Sequence, residues 1–369
     1  MRSKKRWTFL FMVWSVTVLV GLTGCGGDGA GTDLENGENE SESASSARLY
    51  VVNWKDYGSD DPKAVEEFQE MCNCEVIHQY MASEEELLTK LRTIGSSEMD
   101  VVLPNASILP AAIEEGLLEE IDTSQLENYE ALDPSLTELP EVSHNGKTYA
   151  VPWVWGSTSI AYNTEEVDED INSINVLFDE RYADKLSIRD DYNDAVMAAA
   201  IALGQDPNNP SDLEAVKEKL KEQKQLNKTY WKTGEEFTNL FSNNLVSVAM
   251  AWSGQVAQMK QEGLPIEYVI PEEGAIGWVD NWAIVKDTPK KELAMQFIDF
   301  MISKEFQENW AKKGGPAPAN TEAINNLDPD YVAEIGMDEE SLEKLHFISY
   351  RSDEQKNAWN DLWQEVKAE

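Results

Sequence analysis

Five short stretches carry aromatic rings, carboxylates or amides: "NWKDYG" (53–58), "LPNAS" (103–107), "RDDYND" (189–194), "AWSGQ" (251–255) and "GWVDNW" (277–282). Indole faces attract ammonium groups, by about 0.5–2 kcal/mol depending on desolvation. Carboxylates give the same groups charge-assisted hydrogen bonds. An aliphatic chain between two cations lies along the rings by hydrophobic contact. A linear amine with several cations satisfies all three, because its nitrogens stay protonated at neutral pH as a lysine ammonium does, with a pKa of about 10.4. The last stretch poses the demand most sharply. Alternation along a strand sends Trp278, Asp280 and Trp282 to one face, and a carboxylate on an apolar face is costly unless a cation meets it.

Catalysis is served less well. The chain has no G-x-G-x-x-G, no P-loop and no G-x-S-x-G, and its histidines are His78, His144 and His346. Neither a nucleophilic triad nor a zinc site is expected, and no cofactor is implied. Asp190, Asp191 and Asp194 would suit a glycosidase's carboxylate pair, with tryptophans as sugar platforms. Among 69 acidic residues, however, close pairs arise by chance. For Asp190 the plainer expectation is a helix cap in front of "AVMAAAIAL". Binding fits better than turnover.

The elements that must position these residues alternate. "RLYVVNW" (48–54), "EVIHQYM" (75–81) and "MDVVLP" (99–104) read as strands. Between them lie the helices "DPKAVEEFQEM", with Pro62 in its first turn, and "SEEELLTKLRTIG", with a capping box from Ser83 and Glu86. This order predicts a parallel sheet with helices on both faces, and ligands in such sheets sit beyond the carboxyl ends of strands. Trp54, Asp56 and Tyr57 lie just past the first strand, and Asn105 and Ser107 just past the third. A second run of the same character extends from "TYAVPWVWGSTSIAYN" (148–163) to "GWVDNWAIVK" (277–286). The closing helix carries Trp359, Leu362, Trp363 and Val366 on one side, a pattern for core packing.

With 369 residues the chain is long enough for two domains or one two-lobed body. Its 30 basic against 69 acidic residues give a formal net charge of -39, which makes nucleic acid an improbable partner. The N-terminus reads as a signal peptide over residues 1–24: Arg2, Lys4, Lys5 and Arg6, an apolar run from Trp7 to Val20, then Leu22-Thr23-Gly24-Cys25. The last four residues resemble a bacterial lipobox, which implies a lipid on Cys25 and attachment to the outer face of the cytoplasmic membrane. Residues 25–47 are Gly, Ser and acid with no aromatic, a disordered tether. Cys72 and Cys74 are expected as thiols on a helix-to-strand loop; a bridge between them closes a very tight, strained ring and is the alternative rather than the default.

Taken in order, "NWKDY", "MDVVLPN", "VPWVWGSTSIAYN", "DDYND", "VAMAWSGQ", "GWVDNWAIV" and "GGPAPAN" resemble the polyamine-binding members of the bacterial extracellular solute-binding proteins, over roughly residues 48–368. The resemblance implies an α/β, two-lobed periplasmic-binding-protein fold (type II-like) with the ligand in an interlobe cleft. Lobe one would take residues 48–155 plus 277–322, and lobe two 156–276 plus 323–369. It implies a monomer that delivers putrescine or spermidine to the permease of an ABC importer. Another cationic metabolite as ligand, or a sensor lipoprotein, is the alternative. Carried over residue by residue, the ligand contacts would be Trp54, Asp56, Tyr57, Asn105, Ser107, Trp278 and Asp280 from lobe one. From lobe two they would be Asp191, Asp194, Trp252 and Gln255. Ser107 and Gly315 stand where tyrosines are usual in spermidine-type members, which implies a wider pocket.

Overall fold

The structure, a computed structural model, describes residues 47–368. The signal peptide, Cys25 and the tether up to residue 46 therefore lie outside the described residues, while Ala47, expected in the tether, opens β1. Thirteen strands occur among the described residues: β1 Ala47–Asn53, β2 Cys74–Tyr80, β3 Val101–Val102, β4 Ser143–His144, β5 Lys147–Thr148, β6 Ala150–Asn163, β7 Leu186–Arg189, β8 Asn227–Trp231, β9 Val248–Trp252, β10 Ile266–Val269, β11 Ala275–Ile284, β12 Ala317–Pro318 and β13 Leu345–Phe347. The path through the main sheet is β2-β1-β3-β11-β6-β9-β7-β8.

The first three strands pair in parallel, as their alternation with helices predicts. The same holds for β9, β7 and β8. Between these two parallel blocks run β6 and β11, antiparallel to each other and to their outer neighbours. Side chains alternate between two cores in each block. Val51 and Val101 point into one cluster, while Val52 and Val102 point into another. In the second block Val248 and Met250 face one cluster, and Ala249 and Ala251 the other.

The body is two-lobed because β6 and β11 each serve both blocks. Trp153, Val154 and Trp155 of β6 belong to the first core, and Ile160 to the second. In β11, Val279, Trp282 and Ile284 join the first core and Ile276 the second. Leu327, Val332, Ile335 and Met337 pack in the first core, whereas Trp359, Leu362, Trp363 and Val366 pack in the second. The crossing falls where Trp278 pairs with Gly156 and Gly277 with Ser157. No helix among the described residues is long and apolar enough to cross a membrane.

Three local expectations are corrected. Cys72 and Cys74 are not free thiols: they form a disulfide, with Cα atoms 5.2 Å apart. Asn73 makes this geometry accessible by adopting a left-handed conformation (φ 49°) at the C-cap of the Pro62–Cys72 helix. Ser83 caps the Glu84–Thr93 helix by accepting from Glu86 N–H, but the Glu86 carboxylate accepts from Ala82 instead of closing the box on Ser83. Asp190 does not cap the Tyr192–Ala202 helix; Asp191 does. Asp190 instead accepts from Trp363 Nε1 (2.9 Å) and Lys367 Nζ (2.6 Å), tying the C-terminal helix down.

Candidate ligand-binding site

Asp280 is the centre of the first wall. β11 carries it opposite Val154, and the register shifts between Asp280 and Asn281. Past the shift Trp282 is fully buried, against Trp153 and Phe297, so it belongs to the core. Asp280 is only 6% exposed. Its carboxylate accepts from Tyr57 Oη (2.8 Å) and from Asn105 Nδ2 (3.0 Å), both neutral donors. Burial pushes its pKa up, and the two hydrogen bonds pull it back only in part. Beside it, Glu84 Oε2 accepts from the Asn105 backbone N–H at 3.0 Å. Burial and the Asp280 charge push the partly buried Glu84 well above the usual carboxylate range. Among the described residues no lysine, arginine or histidine forms an ion pair with either acid. Burial and the neighbouring Asp280 charge also hold the Tyr57 phenol protonated, so it remains a donor.

Aromatic rings line the same region. Tyr57 meets Trp153 edge to face, with ring centroids 5.6 Å apart. Part-buried Trp54 packs beside it against both cores of the first block. The loop carrying both is braced by Asn53, whose Nδ2 donates to Ser59 Oγ (2.8 Å) and to Tyr57 O (3.3 Å). The Trp278 ring occupies the space above Gly156: a Cβ there would stand 2.3 Å from its Cζ2. Its Nε1 is buried without a hydrogen-bond partner. Register places Trp252, opposite Thr158, on the same sheet face as Trp278, opposite Gly156.

The second wall is built on β7, β9 and the Tyr192–Ala202 helix. Asp191 Oδ1 accepts from Asn193 N–H and Asp194 N–H as the helix cap. Asp194 is 1% exposed and its Oδ2 accepts from Arg189 Nη1 at 2.8 Å. Burial pushes the Asp194 carboxyl up against the pull of the Arg189 guanidinium. The Arg189 guanidinium sits 4.7 Å from the Trp252 ring centroid, and Trp252 meets Trp231 edge-on at 4.9 Å. The walls approach each other: Glu85 and Ser107 line one small cavity together with Tyr192, Asn193 and Arg351.

The other expected contacts are placed differently. Asp56 adopts φ 58° with its side chain 83% exposed beside Lys55. Ser107 N–H donates to Asn105 Oδ1, an Asx turn that orients the amide toward Asp280. Gln255 lies against Gly234 and donates to Thr238 Oγ1 at 3.0 Å. The space expected at Gly315 is filled, because a Cβ there would meet Trp310 Nε1 at 2.6 Å.

With this geometry the chain matches the family described as bacterial extracellular solute-binding protein over residues 63–338. The chain belongs to that family. As a solute-binding protein it is not an enzyme, and its place is extracytoplasmic. It is 30% identical over 285 residues to the spermidine/putrescine-binding periplasmic protein of Escherichia coli, covering 76% of this chain and 80% of that one. The putrescine-binding periplasmic protein SpuD of Pseudomonas aeruginosa is 29% identical over 354 residues, 89% of this chain and 94% of that one. Among solved structures, the spermidine/putrescine transporter substrate-binding protein PotD of Streptococcus pneumoniae superposes with a TM-score of 0.77 at 25% identity, covering 88% of this chain and 99% of that one. The two-lobed α/β fold is shared with it.

Two residues of the candidate site escape a reading of the sequence. Glu84 reads only as part of an acidic first helical turn, and Arg189 only as the end of a strand. The one available signal is position, since Glu84 opens the helix that follows β2 and Arg189 closes β7.

Proposed function

We propose that the protein captures a linear cationic amine of the putrescine and spermidine class and hands it to the permease of an ABC importer. Asp280 carries this reading: a buried carboxylate held by neutral donors, with Glu84 beside it and, among the described residues, no protein cation paired with either. An ammonium ion would supply the missing charge, and Trp278 and Trp54 would lie along its methylene chain. The names of the relatives favour the same ligands. The lobes would close about the crossing of β6 and β11. A ligand touching both walls binds the closed state better, and only that differential affinity can shift the equilibrium. The Leu22-Thr23-Gly24-Cys25 motif supports a lipid on Cys25 that tethers the body beside its permease.

A thermal-shift panel of diamines, triamines, amino acids and neutral sugars tests the ligand class. Stabilisation by the linear amines alone is expected. Stabilisation by a sugar or by an acidic solute, with none by the amines, would overturn the reading.

A further inference from the structure

The two walls differ in charge balance. On the first wall Asp280 and Glu84 form no ion pair with a protein cation among the described residues. On the second, Asp191 and Asp194 are both met by the Arg189 guanidinium. Arg189 Nη1 lies 2.8 Å from Asp194 Oδ2, and its Nη2 lies 3.9 Å from Asp191 Oδ2. Arg351, only 2% exposed and stacked on Trp359 at 4.0 Å, lies within the field of both carboxylates. An arginine stays charged at any working pH.

Arg189 also occupies the aromatic half of that wall. Its guanidinium covers the Trp252 face at 4.7 Å while bonding the carboxylate behind it. An aromatic face, a buried carboxylate and a second carboxylate nearby make a cage for an ammonium group. Here the protein's own cation fills it. The geometry points to Arg189 as a specificity-determining residue, a built-in stand-in for a ligand cation that restricts the site to short diamines and disfavours triamines.

This deepens the amine reading above and rests on it. A short diamine places its charge at the Asp280 and Glu84 wall, where none is neutralised. A triamine would have to drive its distal ammonium against Arg189, and like charges brought together in a cleft are a means of rejecting the wrong partner.

Calorimetric titration of the wild type and Arg189→Gln with putrescine and spermidine tests this. The wild type is expected to prefer putrescine, and Arg189→Gln to shift the spermidine-to-putrescine affinity ratio toward spermidine by about tenfold or more. Because Asp194 would be left buried without its partner, the double variant Arg189→Gln/Asp194→Asn is measured too, and should shift the ratio in the same direction. Binding of both amines with one ratio in all three proteins would overturn the role of Arg189 while leaving the ligand class intact. Binding of neither amine by the wild type would overturn both.

Discussion

Asn105 and Asp280, 175 residues apart in sequence, meet twice. Their backbones form an isolated antiparallel bridge, and the Asn105 amide donates to the Asp280 carboxylate at 3.0 Å. Flanking bonds, Ala106 N–H to Val279 O and Asn281 N–H to Pro104 O, extend the join on either side. The loop after β3 is therefore sewn to β11. The carboxylate offered to a ligand is fixed from two directions before any ligand arrives, which lowers the ordering cost of binding.

Replacing that carboxylate should separate binding from folding. Asp280→Asn is expected to weaken putrescine binding by at least about thirtyfold, the scale for losing one partner of a buried charge pair. The unliganded variant should melt at or above the wild-type temperature, because a buried carboxylate balanced only by neutral donors costs stability. Calorimetry and a thermal melt on the same preparation check both.

Tyr57→Phe should be milder. It removes one neutral donor from Asp280 and leaves the ring packed on Trp153. The loss of one hydrogen bond to a charged group predicts roughly a tenfold weaker affinity. The Asp280 pKa should also rise further, visible as a displaced pH profile.

Acidity acts through the same two carboxylates. Burial raises both Asp280 and Glu84 above the ordinary carboxylate range, and an ammonium ligand needs them ionised. Affinity should therefore fall with acidification, starting at a pH above the usual carboxylate value of about 4. The unliganded protein should respond with the opposite sign. Its folded state keeps protons that the unfolded chain has already lost, so its stability declines as pH rises through the folded-state values. Titrations and melts across one buffer series read the two slopes together.

Gly156→Ala tests the crossing of the long strands. The added Cβ would stand 2.3 Å from the Trp278 ring, so the indole must move. A tenfold or greater loss of amine affinity is expected, roughly the worth of an aromatic contact with a cation. Quenching or a spectral shift of tryptophan fluorescence would report the displaced ring.

The disulfide lies away from these groups. A bridge between residues two apart closes a minimal loop, so chain-entropy arguments give it only about 1.5 kcal/mol. Mild reduction should lower the melting temperature by a few degrees and leave the binding isotherm unchanged.

Much of this was legible in the sequence because local patterns decided it. The order of strand and helix runs, with Pro62 in the first turn of one helix and Ser83 at the head of the next, marked the elements, and aromatics with acids near strand ends marked the candidate site. What stayed hidden depends on pairings across the fold. β3 shrinks to Val101–Val102 because its role is set by β1 and β11 beside it. The register shift that separates Asp280 from Trp282 arises from the partner strand. Glu84 looked like helix-terminal charge, since its neighbourhood is created by Asn105 and Asp280. Asp194 looked free to meet a ligand until Arg189, five residues earlier, was seen to hold it.

The measurement that bears most directly on the account is calorimetric titration of the wild type and Asp280→Asn with putrescine at neutral pH. The account predicts saturable one-to-one binding by the wild type and a loss of at least about thirtyfold in the variant. Equal affinity in the two proteins would contradict the claim that Asp280 anchors an ammonium group.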